Sequence, residues 1–132
     1  MNALIWYVPA AYVATLLTKL PLGRAMASLP EGRYDNHLPR SQQDRLEGRG
    51  ARLRAAHLNA IEAFPVFAAA VLIASMAGPA HAAMHGCAVA WFVFRALFQW
   101  AYDTDRARLR STMWAGAVAA VFGLFGAPLY AG

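Results

Sequence analysis

Ala55-Ala-His57-Leu-Asn59-Ala-Ile-Glu62-Ala-Phe-Pro65-Val-Phe-Ala-Ala-Ala-Val-Leu-Ile-Ala74 sets a carboxylate inside an apolar run of helical length. A carboxylate near the centre of a membrane helix costs roughly 2.5–3.5 kcal/mol on an insertion scale unless something compensates it. Glu62 is therefore a candidate functional residue. Asn59 lies one turn before it on the same face, and Pro65 one turn after.

The rest of the chain supports a membrane setting. Of its 132 residues, 59% are hydrophobic and 14% charged, and mean hydropathy is +0.35. A small soluble domain of that composition could not cover itself with polar surface. The net charge of +5 does not argue for nucleic acid, because that partner needs a solvated basic face with groove-reading or stacking elements. Here the cations fall in connections between apolar runs. The lone Cys87 excludes an internal disulfide framework and reads as a small packing residue. His81 and His85, four apart without a third ligand nearby, read as interfacial residues and not as a metal site.

Four segments of about membrane-spanning length can be drawn, at about 3–22, 55–77, 81–102 and 111–131. They predict an all-α, integral membrane four-helix bundle in one domain, 1–132. The first segment has no basic residue ahead of it, which argues against a cleaved signal peptide. Pro9 should kink it. Gly78-Pro79 marks a tight turn between the second and third segments. The hydrophilic loop 23–54 carries seven arginines, with a short helix expected around Ser41 to Gly48. Lys19 to Arg54 supplies eight of the twelve Lys and Arg, and Arg106, Arg108 and Arg110 supply three more. A four-span hairpin topology puts both charged connections on one side, and the positive-inside rule makes that side cytoplasmic.

Glu62 is seven residues beyond Ala55, and Arg95 is seven before Tyr102, so both should lie about 10 Å in from the charged side. Opposite charges at one depth predict a pair between the second and third segments. Arg95, Phe98, Gln99 and Tyr102 share one face of the third segment. Ala55, Asn59 and Glu62 share one face of the second, with Arg52 continuing it outward. A purely structural ion pair, an interhelical Asn59 hydrogen bond and an interfacial Tyr102 are the alternatives to a binding site.

The run Arg54-Ala-Ala-His57-Leu-Asn59-Ala-Ile-Glu62-Ala-Phe-Pro65, the loop Tyr34-Asp-Asn-His-Leu-Pro-Arg40, and Arg95 followed by Tyr102 and Arg110-Ser111 resemble the MAPEG family. These are the membrane-associated proteins in eicosanoid and glutathione metabolism. The resemblance covers nearly the whole chain and implies a bacterial-type member, multi-pass in the inner membrane. It also implies a homotrimer with glutathione bound between neighbouring protomers and open to the cytoplasm. By resemblance Arg110 activates the glutathione thiol. The resemblance also implies that Arg52, Arg54, His57, Asn59, Glu62, Arg95, Tyr102 and Ser111 hold the tripeptide as co-substrate, together with a basic residue at the end of the first helix, Lys19 or, in preference, Arg24. The chain departs from the family where Ala55 takes the place of the usual arginine, leaving Arg54 or Arg52 to substitute, and where Phe98 stands for a tyrosine or histidine.

A pocket with several arginines and one carboxylate complements glutathione, which carries two carboxylates and one ammonium. The implied activity is glutathione transferase or peroxidase chemistry on lipophilic electrophiles or lipid hydroperoxides arriving from membrane lipids. The alternative is a non-catalytic lipid-binding or scaffold module of the same fold, since fold does not fix function. A transporter is disfavoured, because no ionisable residue follows Arg110 in the fourth segment. The glycines there, Gly116, Gly123 and Gly126, are expected to allow close helix packing.

Overall fold

The computed structural model describes residues 2–130. A 3₁₀ turn, Ala3–Trp6, leads into α1 (Tyr7–Leu17) and α2 (Lys19–Ala27), which together form one apolar helix stepped at Thr18. Then come the short α3 (Pro39–Asp44), α4 (Gly48–Met76), α5 (Ala82–Asp103), α6 (Ala107–Phe125) and a last 3₁₀ turn, Ala127–Leu129. The four major helices are the α1–α2 unit, α4, α5 and α6. Ala3–Ala27 and Gly48–Met76 combine the length and hydropathy needed to cross a membrane. The 22 residues of α5 and 19 of α6 are also of spanning length.

Several boundaries differ from the hydropathy reading. Pro9 is the third residue of α1, in the first turn, where a missing N–H costs little. The helix instead steps at Thr18, whose hydroxyl donates to the Thr15 carbonyl at 2.7 Å and competes with the backbone ladder. Helix α4 starts at Gly48 and not near Ala55, because a helix of 29 residues outreaches a hydrocarbon core and projects a charged turn beyond it. It runs unbroken through Pro65. Helix α6 starts at Ala107, after a turn in which Asp105 adopts φ 59°, and ends at Phe125, ahead of Pro128. Ala131, the expected end of the fourth segment, lies outside the described residues. The loop helix is Pro39–Asp44, with Pro39 in its first turn.

The core is aromatic and aliphatic. Phe67 of α4 stacks on Trp91 of α5 with ring centroids 3.9 Å apart, among fully buried Leu4, Val71, Met84 and Leu124. Helices α5 and α6 approach closely over two glycines. A Cβ at Gly116 would lie 2.7 Å from the Phe94 ring, and one at Gly123 would lie 2.6 Å from the Cys87 sulfur. At Gly126 a Cβ would meet only the carbonyls of its own helix, at 3.4 Å and beyond, so its role is not interhelical packing.

Both charged connections come together at one end. Arg49 Nε and Nη2 donate to the two oxygens of Asp103 at 2.5 and 2.9 Å. Arg52 pairs with Asp105, Arg54 with Asp44, and Arg45 with Glu31. The loop before α3 is organised by Gln42, which is fully buried. Its amide donates to the carbonyls of Met26 and Arg33 and accepts from the Asp35 N–H. Asp35 in turn accepts from the backbone N–H groups of His37 and Leu38 at 2.9 and 3.2 Å. These bonds hold its carboxyl below the ordinary aspartate range.

Candidate functional site

Two cavities adjoin where α4, α5 and α6 meet. The first, of about 210 Å³, is lined by Asn59, Phe98, Tyr102, Arg110, Ser111 and Trp114. The second, of about 250 Å³, runs deeper along the helices and is lined by Asn59, Glu62, Arg95 and Trp114 with an apolar wall that includes Val66, Val118 and Phe122. Asn59 and Trp114 border both. Six of the predicted site residues are thus gathered around one composite space: Asn59, Glu62, Arg95, Tyr102, Arg110 and Ser111.

The helices explain the gathering. Asn59 and Glu62 are three residues apart on α4, and Arg95 and Tyr102 are two turns apart on α5. Arg110, Ser111 and Trp114 occupy one face of the first turns of α6. The Arg110 guanidinium lies over the Tyr102 ring, 4.6 Å from its centroid, and that ring meets Phe98 edge-on at 5.3 Å. This stack holds the cation at the smaller cavity while leaving its N–H groups free to donate, since guanidinium–aromatic contacts use the ring face. Ser111 Oγ donates back to the Ala107 carbonyl at 3.1 Å and so keeps only acceptor capacity to offer at the cavity it lines.

The expected Glu62–Arg95 pair does not form. Arg95 is only 8% exposed, and its Nη1 donates to Asn59 Oδ1 at 2.8 Å, with the guanidinium 4.5 Å from the Phe98 ring centroid. Its Nη2 is buried without a hydrogen-bond partner. Glu62 is exposed and lines the deeper cavity. The two charged residues border the same space, but Asn59 is one turn nearer and intercepts the guanidinium. One cavity therefore presents a cation and an anion that, among the described residues, have no partner of opposite charge.

Other predicted residues sit elsewhere. His57 Nδ1 lies 2.6 Å from Thr18 Oγ1, at the step between α1 and α2. With that hydroxyl's proton on the Thr15 carbonyl, the ring donates through Nδ1–H. His57 lines neither cavity. Arg24 borders a separate cleft of about 590 Å³ with Arg45, Glu47 and Arg49. Arg54 is paired to Asp44 at 2.5 Å, and Arg52 to Asp105 at 3.6 Å. Trp114 is a cavity residue that the sequence reading misses, although its i+4 spacing from Arg110 carries the signal.

A model of the MAPEG family matches residues 3–130 of the chain. No curated protein and no solved structure matches it.

Proposed function

Since the chain belongs to the MAPEG family, membrane helical bundles with many glutathione transferases and peroxidases among them, we propose that this protein binds glutathione in the composite cavity and activates its thiol. The observation that carries the reading is the pair of unmatched charges, Arg95 and Glu62, beside the cation of Arg110. The amino-acid end of glutathione is a zwitterion, so its carboxylate meets the free Nη2 of Arg95 and its ammonium meets Glu62. Asn59 orients Arg95 through the bond already made.

The thiol then lies toward Arg110, Tyr102 and Ser111. A thiol of ordinary pKa near 8.5 ionises readily only when a cation stabilises the sulfur anion. Lowering that pKa by about two corresponds to roughly 2.7 kcal/mol, within reach of one desolvated guanidinium contact. The proton leaves to solvent at the charged end. The thiolate sulfur attacks an electrophilic carbon and displaces its leaving group, or attacks the terminal oxygen of a hydroperoxide and breaks the O–O bond, giving glutathione sulfenic acid and an alkoxide that takes a proton from solvent to become the lipid alcohol; a second glutathione then converts the sulfenic acid to the disulfide with loss of water. The apolar wall of Val66, Val118 and Phe122 suits an acceptor arriving from the lipid side. The assembly proposed is a homotrimer in the membrane, with the arginine-rich end cytoplasmic and Arg24 contributed across a protomer boundary. The whole chain, 1–132, acts as one domain in this reading, and Arg54 and His57 serve to hold the fold.

Titration calorimetry in detergent with glutathione and with N-acetylglutathione tests the ammonium contact. Glutathione should bind saturably and the acetylated form about tenfold or more weakly, as removal of a charge-assisted hydrogen bond predicts. Equal affinities would show that Glu62 does not hold the ammonium. A lipid-binding module would instead take up a lipid analogue irrespective of glutathione and show no glutathione-dependent turnover.

A further inference from the structure

We infer that the slot between α1, α4 and α5 is a second binding site, for a single-chain amphiphile with a carboxylate head, and that this carboxylate competes with glutathione for Arg95. The competition rests on glutathione being the ligand of the composite cavity; the amphiphile site does not. Helix α1 packs on α4 and scarcely touches α5. The slot left beside it has a volume of about 330 Å³, within the range of small-molecule pockets. The composite cavity lies against α6 and this slot against α1, and Trp91 and Arg95 of α5 line both. The two spaces differ in charge. Glu62 borders the composite cavity alone, so that space offers both signs and suits a zwitterion. Arg95 is the one ionisable residue lining the slot, which therefore suits an anion.

The slot is also polar at one end. Both α1 and α5 run toward the arginine-rich end, so Thr18 and Gln99 lie on that side, and Ala14, Trp91 and Phe92 lie deeper. Arg95 sits between them, about 10 Å in from Tyr102. A fatty acid of the leaflet on the charged side has the same orientation, head outward and chain along the apolar wall. The donors are few. Thr15 and Thr18 spend their hydroxyl protons on carbonyls of their own helix, at 2.9 and 2.7 Å. Gln99 Nε2 gives one proton to the Ala56 carbonyl at 3.0 Å and keeps the other. Arg95 Nη2 is buried without a partner, and leaving a charged donor so placed is costly. A carboxylate in the slot satisfies it with a charge-assisted bond. Two carboxylates on this one guanidinium would leave a net negative charge in the apolar layer, so amphiphile and glutathione exclude each other.

Trp91 lines the slot one turn from Arg95 and reports its occupant. The full chain in phosphatidylcholine nanodiscs is titrated with a mid-chain dibrominated stearate and with its methyl ester, and bromine quenching of tryptophan is followed. The exposed Trp6, Trp100 and Trp114 are quenched alike by both probes. The acid should add a saturable component, with an affinity about tenfold or more above that of the ester, which lacks the charge-assisted bond. Ala14→Leu fills the slot from α1 without touching Arg95, and should weaken the acid about tenfold, the cost of overpacking. Its glutathione affinity, by calorimetry without acid, should stay within about twofold of the unmodified protein. Arg95→Gln should bring acid and ester to the same affinity. Saturating acid should weaken glutathione binding to the unmodified protein about fivefold or more. Equal quenching by acid and ester in the unmodified protein, or undiminished acid binding in Ala14→Leu, would overturn the site. Acid bound with glutathione affinity unchanged would overturn the competition. Failure of the unmodified protein to bind glutathione would overturn the glutathione reading and the competition with it, while the amphiphile site stands or falls on the quenching alone.

Discussion

Asn59→Ala should destabilise the protein through a group it leaves behind. Arg95 is 92% buried by area, the complement of its 8% exposure, and has one hydrogen-bond acceptor, Asn59 Oδ1 at 2.8 Å. Its Nη2 already lacks a partner. Removing Asn59 strands a guanidinium in an apolar layer, with only the Phe98 ring face at 4.5 Å against it. A hydrogen bond to a charged group is worth about 1.5–3 kcal/mol, and breaking a buried charged contact by deleting one partner costs up to about 5 kcal/mol. The cost here should be about 2–3 kcal/mol, toward the lower of these figures, because the cavity beside Arg95 admits some water. For a domain of this size 1 kcal/mol moves the unfolding midpoint by about 4 °C, so the drop should be about 8–12 °C. Asn59→Asp supplies a carboxylate at the same place and should fall much less. Thermal unfolding in detergent, followed by tryptophan fluorescence, measures both. A midpoint for Asn59→Ala within about 2 °C of the unmodified protein would show that Arg95 has another source of compensation and does not depend on Asn59.

Three further outcomes are expected. Gly116→Ala forces a methyl to 2.7 Å from the Phe94 ring and should lose about 1–2 kcal/mol of stability after its helix-propensity gain. Gly86→Ala, with nothing within 4 Å of its Cβ, should gain a few tenths, and chemical denaturation compares the two. The depressed folded-state pKa of Asp35, caused first by the His37 N–H and then by that of Leu38, means its contribution is present above the unfolded pKa and lost as pH falls through the folded one. Protection factors of the His37 and Leu38 amides should therefore drop on acidification below the ordinary carboxylate range, and Asp35→Ala should abolish that pH dependence. His57→Ala should cost about 1 kcal/mol by freeing Thr18 while leaving glutathione affinity unchanged, as calorimetry would record.

Helical spacing in the sequence makes much of this arrangement legible. The i, i+3 relation of Asn59 and Glu62 and the i, i+7 relation of Arg95 and Tyr102 set which side chains share a face. Depth counted from the charged end brought the two faces level. What spacing could not supply was the rotation of α4 against α5, and that angle lets Arg95 reach Asn59 instead of Glu62. The boundaries of α4 and α6 escaped hydropathy because their first turns are arginine-rich and stand outside the apolar layer, where ion pairs to Asp103, Asp105 and Asp44 hold α4. Those pairs join residues about 10 to more than 50 positions apart, and loop composition says nothing of such partners. Long-range pairing also withdrew His57 from the cavity, since its partner Thr18 lies 39 residues away.

If Arg110 turns bound glutathione into its thiolate as proposed, ultraviolet difference absorbance at neutral pH will read the sulfur anion itself. With a free pKa near 8.5, glutathione is about 3% thiolate at pH 7, and a lowering by about two raises that to roughly 75%. The unmodified protein should give a saturable thiolate signal approaching one sulfur anion per site. Arg110→Ala should bind glutathione with little signal. Saturable binding without thiolate in the unmodified protein, or an undiminished signal in Arg110→Ala, would show that Arg110 does not ionise the thiol.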